Sequence, residues 1–335
     1  MSKMQHLFIL GILTMLIAML AACGDDATAT PEGMVASDVK VALLTFGLVT
    51  GDPWNALGYD GLQQAEVEYG ITTALSDNLT PPDFEGAMRD YASQGYNIVI
   101  GHSFGFGDPA MAISGDFPDT FFTINTGAVS ADNVASFNMQ DQENGYLTGA
   151  LAALMSESGT IGILGGFDYP SVIKEINGYV DGAKAINPDI EILVGYVGSW
   201  DDPAKAQELA AAMIENGADV ISHKAGGSGL GVLEAAEEAG TWAISDVASC
   251  QEVAPNACLT STDIRFDNVV VKTVELYLND ELEGKIYNWG IKDGAVDIGP
   301  IHSDVPKEHV DQIMDLRQQI IDGTLTVPEK WEPGW

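Results

Sequence analysis

The sequence predicts an α/β protein made of two doubly wound lobes, each built on a parallel β-sheet, with a ligand cleft between them. Short apolar runs rich in Val, Ile and aromatic residues alternate with longer stretches of helical period, and strands that alternate with helices form parallel sheets. The runs are too numerous for one ordinary open sheet, and the pattern restarts at Thr160. A chain of 335 residues with 46% hydrophobic residues is also long enough for two domains.

The elements follow one another in a regular order. Predicted strands lie at residues 39–46, 71–75, 97–101, 121–125, 134–137, 160–164, 190–197, 218–222, 241–245 and 258–261. Predicted helices at 143–156, 203–215 and 230–239 carry Ala and Leu at three- and four-residue spacing. A helix at 266–278 then returns to the first lobe, and two more strands from Ile286 and a helix at 306–322 complete the pattern.

This order predicts the domain organisation. We assign residues 38–140 with 262–284 to the N-terminal lobe and residues 141–261 with 285–328 to the C-terminal lobe. Residues 329–335 form a tail that holds Trp331 and Trp335.

The first residues predict export. Residues 1–22 have the charge and the apolar run of a signal peptide, and Leu20-Ala21-Ala22-Cys23 resembles the lipobox of bacterial lipoproteins. The apolar run is shorter than the roughly 20 residues that span a bilayer. We therefore expect Cys23 to be lipidated and residues 23–37 to form a flexible tether, which places the protein at the extracytoplasmic face of the cell membrane, in the periplasm or on the cell surface.

Cysteine content and charge exclude several classes of function. In an oxidising compartment Cys250 and Cys258 are expected to form a disulfide. The histidines show no ligand spacing with them, so we expect no metal and no cofactor. The chain holds 49 acidic and 14 basic residues, a formal net charge of −35. Nucleic acid and anionic substrates would be repelled, which favours a neutral or cationic ligand.

The motifs do not predict an enzyme. The segment GHSFGFGD, residues 101–108, contains Gly-x-Ser-x-Gly after a strand, but a hydrolase needs a helix directly after the serine and here the helix is delayed. The segment AGGSGLG, residues 225–231, lacks the Rossmann spacing and is more typical of close backbone approach. We predict no catalytic residue, and a nucleoside or ester hydrolase is not expected.

Aromatic and polar side chains follow several predicted strands. Because the carboxyl ends of parallel strands face the ligand site in open α/β sheets, these side chains are candidates for a shared cleft. Indoles suit a flat ligand, and carboxylates accept hydrogen bonds from hydroxyl or amino groups. For each aromatic residue simple lobe packing is the alternative, and Trp242 is assigned to packing. The candidates are Asp52, Trp54, Asn55, Ser103, Phe104, Phe106, Trp200, Asp201, Asp202, Ser245 and Asp246.

In their order along the chain, the motifs resemble the BMP family, the PnrA-like purine nucleoside receptors of bacterial ABC importers. They include GDPWNALGYDGL, IGHSFGFGD, FNMQDQENGYLTGALAALM, IGILGGFDYPSV, GSWDDPAKAQELA, GADVISHKAGGSGLGVLEAAEEAG and LTSTDIRFDN. The resemblance implies a type I periplasmic-binding-protein fold with three crossings between the lobes. It also implies a small-molecule ligand that is delivered to a membrane permease.

The resemblance also implies roles for residues of the first loop. Asp52 and Asn55 match a ligand-contacting Asp-x-Ser-Phe-Asn segment, although the spacing here is one residue shorter. Trp54 takes the place of the Phe and would offer a face to the base. Trp200 falls at the aromatic residue of a Gly-Ser-Phe-x-Asp-Pro-like segment.

The resemblance also implies which residues would contact the ribose of a nucleoside. Asp246 falls where the family has an Asp that contacts ribose hydroxyls, and Gly227 and Gly229 match its close-approach glycines. The family commonly has a Lys in a Ser-x-x-Lys pattern that assists ribose recognition, whereas the pattern that begins at Ser261 here places Ile264 at that position. The adjacent Arg265 points the other way on an extended segment.

These observations predict a lipid-anchored solute-binding receptor, a monomer, that captures a purine nucleoside for an ABC importer. The departure at Ile264 leaves a free purine base or another small neutral solute as an alternative ligand. A ligand sensor without transport is the alternative function.

Overall fold

The computed structural model describes residues 35–50, 52–247 and 249–335. The predicted signal peptide, Cys23 and most of the predicted tether lie outside these described residues. Both lobes belong to one unit, Ala36–Trp335. Residues 36 and 37, which the sequence analysis assigned to the tether, belong instead to a short 3-10 turn, Ala36–Asp38.

The first lobe contains a six-stranded sheet in which all neighbouring strands are parallel. Its strands are β1 (Lys40–Phe46), β2 (Thr72–Leu79), β3 (Ile98–Gly101), β4 (Phe121–Asn125), β5 (Val134–Met139) and β11 (Ile286–Trp289). Their order across the sheet is β11-β5-β4-β3-β1-β2. The central strands are buried because helices cover both faces, which is why they read as continuous apolar runs.

The second lobe repeats this arrangement with one change at its edge. Its strands are β6 (Thr160–Gly165), β7 (Glu191–Tyr196), β8 (Val220–Lys224), β9 (Trp242–Ser245), β10 (Cys258–Ile264) and β12 (Val296–Ile298). Their order is β12-β10-β9-β8-β6-β7, and β12 runs antiparallel to β10. The remaining pairs are parallel.

Helices connect the strands. They are α1 (Pro53–Tyr69), α2 (Phe84–Ser93), α3 (Gly107–Ile113), α4 (Asp141–Met155), α5 (Pro170–Ile186), α6 (Pro203–Glu215), α7 (Gly229–Ala239), α8 (Phe266–Leu278) and α9 (Lys307–Ile321). Helix α1 has a proline in its first turn, an aspartate N-cap at Asp52 and a left-handed glycine at Gly70, which together define where it begins and ends.

The chain passes between the lobes three times, as the resemblance implied. It leaves the first sheet after β5, returns through α8 after β10, and passes to the second sheet again between β11 and β12. The crossings lie side by side, since Gln140 N donates to Trp289 O at 2.9 Å and Arg265 N donates to Ala295 O at 2.8 Å. Such adjacent crossings form a hinge between two lobes.

Helices α4 and α5 pack unusually close together. A Cβ atom on Gly149 would overlap the Tyr179 carbonyl, and one on Gly182 would overlap the Tyr146 carbonyl. Glycine at these positions therefore lets the two backbones touch. As a result, the amino-terminal turns of α4 and α5 meet beside the carboxyl ends of the second lobe's strands.

The sequence located each of these strands, but the assignment of residues to lobes needs two corrections. Residues 286–289 were placed in the C-terminal lobe, whereas β11 pairs with β5 in the first sheet, with Ile286 beside Ser136. Residues 262–264 were placed in the N-terminal lobe, whereas they continue β10 in the second sheet. An apolar run predicts a strand but not the sheet edge with which its backbone pairs.

Two further features concern the chemistry of the chain. Cys250 and Cys258 form a disulfide in the loop between β9 and β10, with Cα atoms 5.4 Å apart. Within the described residues, no helix has both the length and the apolar composition needed to cross a membrane.

Candidate functional site

The loop after β1 is organised by Asp52. Its side chain accepts a hydrogen bond from Trp54 N at 3.0 Å and another from Asn55 Nδ2 at 2.7 Å. Asn55 is 1% exposed and also donates to Phe46 O at 2.9 Å. Burial raises the pKa of Asp52 above its ordinary value, although these hydrogen bonds oppose the shift. Asp52 and Asn55 therefore hold the loop and the start of α1 in place.

Trp54 lies where α1, β3 and α8 meet. Its indole ring contacts Phe266 edge-on, with ring centroids 4.4 Å apart, and lies 5.8 Å from the His102 ring. Asn125 Nδ2 lies 2.7 Å from His102 Nδ1, and His102 Nε2 lies 2.9 Å from Trp54 O. These contacts fit a neutral imidazole that accepts at Nδ1 and donates at Nε2. Burial lowers the pKa of His102 to about 4, so this group carries no charge at neutral pH.

We call Trp54, His102, Asn125 and Phe266 the first-lobe set. All its members are uncharged, and three of the four are flat rings. His102, Asn125 and Phe266 are at most 1% exposed, whereas Trp54 is partly exposed, so within this set the indole is the aromatic surface that a ligand can reach. Such a surface suits the ring of a planar ligand.

The second lobe places charged side chains at the ends of its strands. Lys224 Nζ donates a hydrogen bond to Glu175 Oε2, lies 3.6 Å from Asp246 Oδ1 and lies 3.9 Å from Asp141 Oδ1. The four side chains are between 2% and 7% exposed. We call Asp141, Glu175, Lys224 and Asp246 the second-lobe set.

Burial and charge act against each other in this set. Burial raises the pKa of Glu175 to about 8, because the attraction of Lys224 does not outweigh desolvation and the repulsion of Asp246 and Asp141. Burial disfavours the Lys224 ammonium, yet the surrounding carboxylates raise its pKa above the ordinary value. The lysine is therefore held as a cation, and Glu175 retains a proton near neutral pH.

Strand registers show that two members of each set occupy equivalent positions. Ile98 pairs with Val41 and Phe121 in the first sheet, and Val220 pairs with Ile161 and Trp242 in the second. In the first sheet His102 lies four residues after Ile98, and Asn125 lies four residues after Phe121. In the second sheet Lys224 lies four residues after Val220, and Asp246 lies four residues after Trp242. The pair His102–Asn125 in one lobe thus corresponds to Lys224–Asp246 in the other.

The segment Thr262–Phe266 of the second crossing joins the two sets. Thr262 Oγ1 lies 3.3 Å from Asp246 Oδ1, and the Phe266 ring contacts Trp54. Four residue steps span at most about 14 Å of extended chain. The structure therefore brings Trp54 and Asp246 to the same junction between the lobes.

A second group of aromatic rings also lies between the lobes. Phe104, which is 63% exposed on the first lobe, has its ring centroid 6.3 Å from that of Tyr169 on the second. Tyr169 stacks on Phe167 at 5.1 Å, and Trp200 lies 5.5 Å from Phe167. Trp200 thus belongs to a partly exposed aromatic cluster, separate from the first-lobe set.

Two predicted ligand contacts are wrong. Phe106 is fully buried and stacks on Phe84 at 3.8 Å, so it packs the core of the first lobe. Gly229 is also buried, and a Cβ atom there would overlap the His223 imidazole, so this glycine accommodates a protein side chain rather than a ligand. The sequence did not show that Phe106 points into the core while Phe104, two residues earlier, points to solvent.

The remaining predicted positions have identifiable local roles. Ser103 Oγ accepts from Gly105 N at 3.4 Å at the start of a 3-10 turn. Gly227 is exposed, and a Cβ atom there would lie 3.2 Å from Trp200 O. Asp202 caps α6 by accepting from Lys205 N at 3.0 Å. For Ser103 and Gly227 ligand contact stays a prediction.

Sequence reasoning missed several residues of the site. Phe167 and Tyr169 follow the end of β6, just as Trp54 follows β1, and this position could have identified them. Lys224 gave a signal as well, because a lysine ends an apolar strand. Asp141 and Glu175 gave none, since the helix packing that brings them to Lys224 is a long-range feature.

Two parallel-sheet lobes, a three-segment hinge and a junction of aromatic and charged side chains at the strand ends define the class of two-lobed solute-binding proteins. Residues 38–330 match the family model described as ABC transporter substrate-binding protein PnrA-like. The chain belongs to this family, whose members bind solutes for ABC transporters outside the cytoplasm.

Individual relatives carry different names. The chain is 29% identical to the ABC transporter nucleoside-binding protein BmpA of Lactococcus lactis, over 94% of this chain and 96% of that one. It is 28% identical to the transcriptional activator protein med of Bacillus subtilis, over 90% and 92%. A crystal structure of a transcriptional activator of the comK gene from Bacillus halodurans superposes with a TM-score of 0.78 at 28% identity, covering 85% of this chain and 99% of that one.

The second-lobe set predicts a pH dependence of stability. Between the ordinary carboxyl pKa of 4.5 and about 8, folded Glu175 holds a proton that the unfolded chain has released. The free energy of unfolding should therefore decrease as the pH rises through this range, by at most about 1.4 kcal/mol per unit. Glu175→Gln should remove this decrease between pH 6.5 and 8 in urea titrations.

The pH window is chosen to separate Glu175 from the histidines. Burial lowers the pKa of His102 and His223 to about 4 from 6.5, so their contribution to stability is lost as the pH falls below 6.5. Above about pH 7.5 the unfolded histidines are almost fully deprotonated and their contribution is nearly constant. Below that pH both proteins keep the two histidines, so their contribution cancels in the difference between the two slopes. Parallel slopes for the variant and the unmodified protein would contradict the assignment to Glu175.

Proposed function

We propose that this protein is an extracytoplasmic receptor that binds a purine nucleoside and delivers it to an ABC permease. The observation that carries the proposal is the difference between two equivalent sets. Corresponding strand ends carry a neutral imidazole and an amide in the first lobe, beside the Trp54 and Phe266 rings, and a buried lysine and carboxylate in the second. A ligand that meets both sets needs a planar apolar part and a hydrogen-bonding part, and a nucleoside has this composition.

Each part of the ligand has a matching group. The base would lie against the exposed part of Trp54, whose other contacts with Phe266 and His102 fix its orientation. The ribose hydroxyls would donate to Asp246. Closure about the three crossings would then bring the two lobes onto the ligand.

A free base satisfies this site less well than a nucleoside. It offers a ring for Trp54 but no hydroxyl pair for the buried carboxylate of Asp246. A buried charged group that finds no partner in the ligand weakens binding. The nucleoside-binding relative supports the same choice of ligand.

The other parts of the proposal rest on the sequence. Cys23 would carry the lipid anchor, the protein would act as a monomer, and the ligand would leave chemically unchanged. The net charge of −35 disfavours binding to nucleic acid, so we do not extend the name of the transcriptional activators to this chain.

A ligand panel tests the proposed function. Thermal unfolding is measured with adenosine, guanosine, adenine, guanine, uridine and glucose, because a ligand that binds the folded state raises its unfolding temperature. We expect the largest shift with a purine nucleoside, and chromatography should recover that nucleoside intact. A larger shift with adenine or glucose, or release of free base and sugar, would contradict the proposal.

Two variants test the division of the site. Trp54→Ala should weaken nucleoside and base alike by about tenfold or more, since stacking and buried area are lost for both. Asp246→Asn should weaken the nucleoside about tenfold and the base little. Calorimetric titration measures both effects.

Matched controls exist in the second lobe. Trp242→Ala removes an indole that faces His302, and Asp297→Asn removes a carboxylate that pairs with Arg317. Both should leave ligand affinity unchanged. Equal losses of base and nucleoside in Asp246→Asn would exclude the ribose contact.

A further inference from the structure

We propose that Lys224 is a positioning residue that fixes the Asp246 carboxylate and thereby makes the second lobe select ligands with neighbouring hydroxyl groups. This inference rests on the proposed function and extends it to a residue that does not itself touch the ligand.

Asp246 is held from both sides through one oxygen. Lys224 on β8 approaches Oδ1 at 3.6 Å, and the Thr262 hydroxyl on β10 approaches the same oxygen at 3.3 Å. Strand β9, which carries Asp246 at its end, lies between these two strands. Among the described residues, Oδ2 has no hydrogen-bond or ion-pair partner, so it is the atom that can accept from a ligand.

Strand β10 supplies no cation to this carboxylate. Ile264 follows Thr262 on the same face, is 1% exposed and belongs to the same apolar core as Phe266. Arg265 points to the opposite face and pairs with Asp267 at 2.7 Å. Among the described residues, the cation beside Asp246 therefore comes from β8.

Lys224 is itself held without a ligand. Asp141 in the first turn of α4 and Glu175 in the second turn of α5 both contact the ammonium. A side chain that is 6% exposed and surrounded by carboxylates has little freedom to move. The Asp246 carboxylate is thus oriented before the ligand arrives, which reduces the entropy lost on binding.

A fixed carboxylate discriminates between ligands. Two neighbouring hydroxyl groups can both donate to a carboxylate whose plane is fixed, whereas a ligand without hydroxyls leaves Oδ2 desolvated and unpaired. Removing Lys224 would let the carboxylate turn away from the ligand. The loss should therefore fall on hydroxylated ligands and spare those without hydroxyls.

The test compares Lys224→Met with the unmodified protein by calorimetric titration of adenosine, 2′,3′-dideoxyadenosine and adenine. We expect the affinity for adenosine to fall about tenfold or more, the size of a lost charge-assisted interaction. The affinities for the other two ligands should change by less than about twofold. A general loss of structure would instead lower all three together, so the ratio of affinities identifies the positioning role.

Lys174→Met provides the matched control. Lys174 is also buried and lies 3.5 Å from Asp141, but it contacts β5 and the tail rather than Asp246. This variant should lower the unfolding temperature without changing the adenosine-to-adenine ratio. A change of the ratio as large as that of Lys224→Met would contradict a specific role for Lys224.

If Lys224→Met does not fold, Thr262→Val provides a second test of the inference. It removes the other donor to Oδ1 at nearly constant volume, and we expect a smaller loss in the same direction, about threefold for adenosine alone. Equal losses of affinity for all three ligands, or no loss, would overturn the inference. The proposed function would still stand if the unmodified protein binds nucleosides preferentially. Failure of the unmodified protein to bind any purine would overturn both.

Discussion

The buried ion pairs around Lys224 are the constraint on which the junction depends. An ammonium removed from water is stable only where carboxylates compensate for its lost hydration. Asp246 at the end of β9 and Asp141 at the start of α4 supply these carboxylates, and Glu175 in the second turn of α5 accepts a hydrogen bond from the ammonium. The close contact of α4 and α5 through glycine is thus more than helix packing, because it carries Asp141 and Glu175 to the cation.

The same network lies next to the hinge. Asp141 is the first residue of α4, directly after the first crossing, and it also contacts Lys174. Lys174 donates to Asn138 Oδ1 at 2.9 Å, contacts Glu329 at 3.3 Å and lies beneath the Trp331 ring at 4.9 Å. Buried charge therefore links the second-lobe strand ends, the crossing and the tail. Trp331, which the sequence placed in a tail without a role, covers this link.

The two lobes repeat one arrangement of strands but differ in the side chains at the strand ends. Equivalent strand positions carry a neutral imidazole and an amide in one lobe, and a lysine and a carboxylate in the other. Backbone geometry fixes the positions of these side chains, whereas their identity gives each lobe a different chemical character. A site between two chemically different lobes is compatible with membership of a solute-binding family.

The sequence predicted the architecture well because apolar runs, proline and glycine act locally. It also selected Trp54 and Asp246, which lie at one junction because they follow strand ends. The sequence-based predictions failed where contacts between distant parts of the chain determine the structure. Phe106 turns into the core, β11 joins the first sheet, and Glu175 reaches Lys224 only because two helices touch. Lys224, a lysine at the end of an apolar strand, was a signal in the sequence that indicated a site residue but was not used.

The central claim is that one planar, hydroxylated ligand is held between Trp54 and Asp246. A crystal structure of the protein with a bound purine nucleoside tests it most directly. The account predicts a base whose ring centroid lies within about 7 Å of the Trp54 indole and a ribose hydroxyl within about 3 Å of Asp246 Oδ2. A nucleoside bound at another surface, or one whose ribose leaves Asp246 untouched, would contradict it.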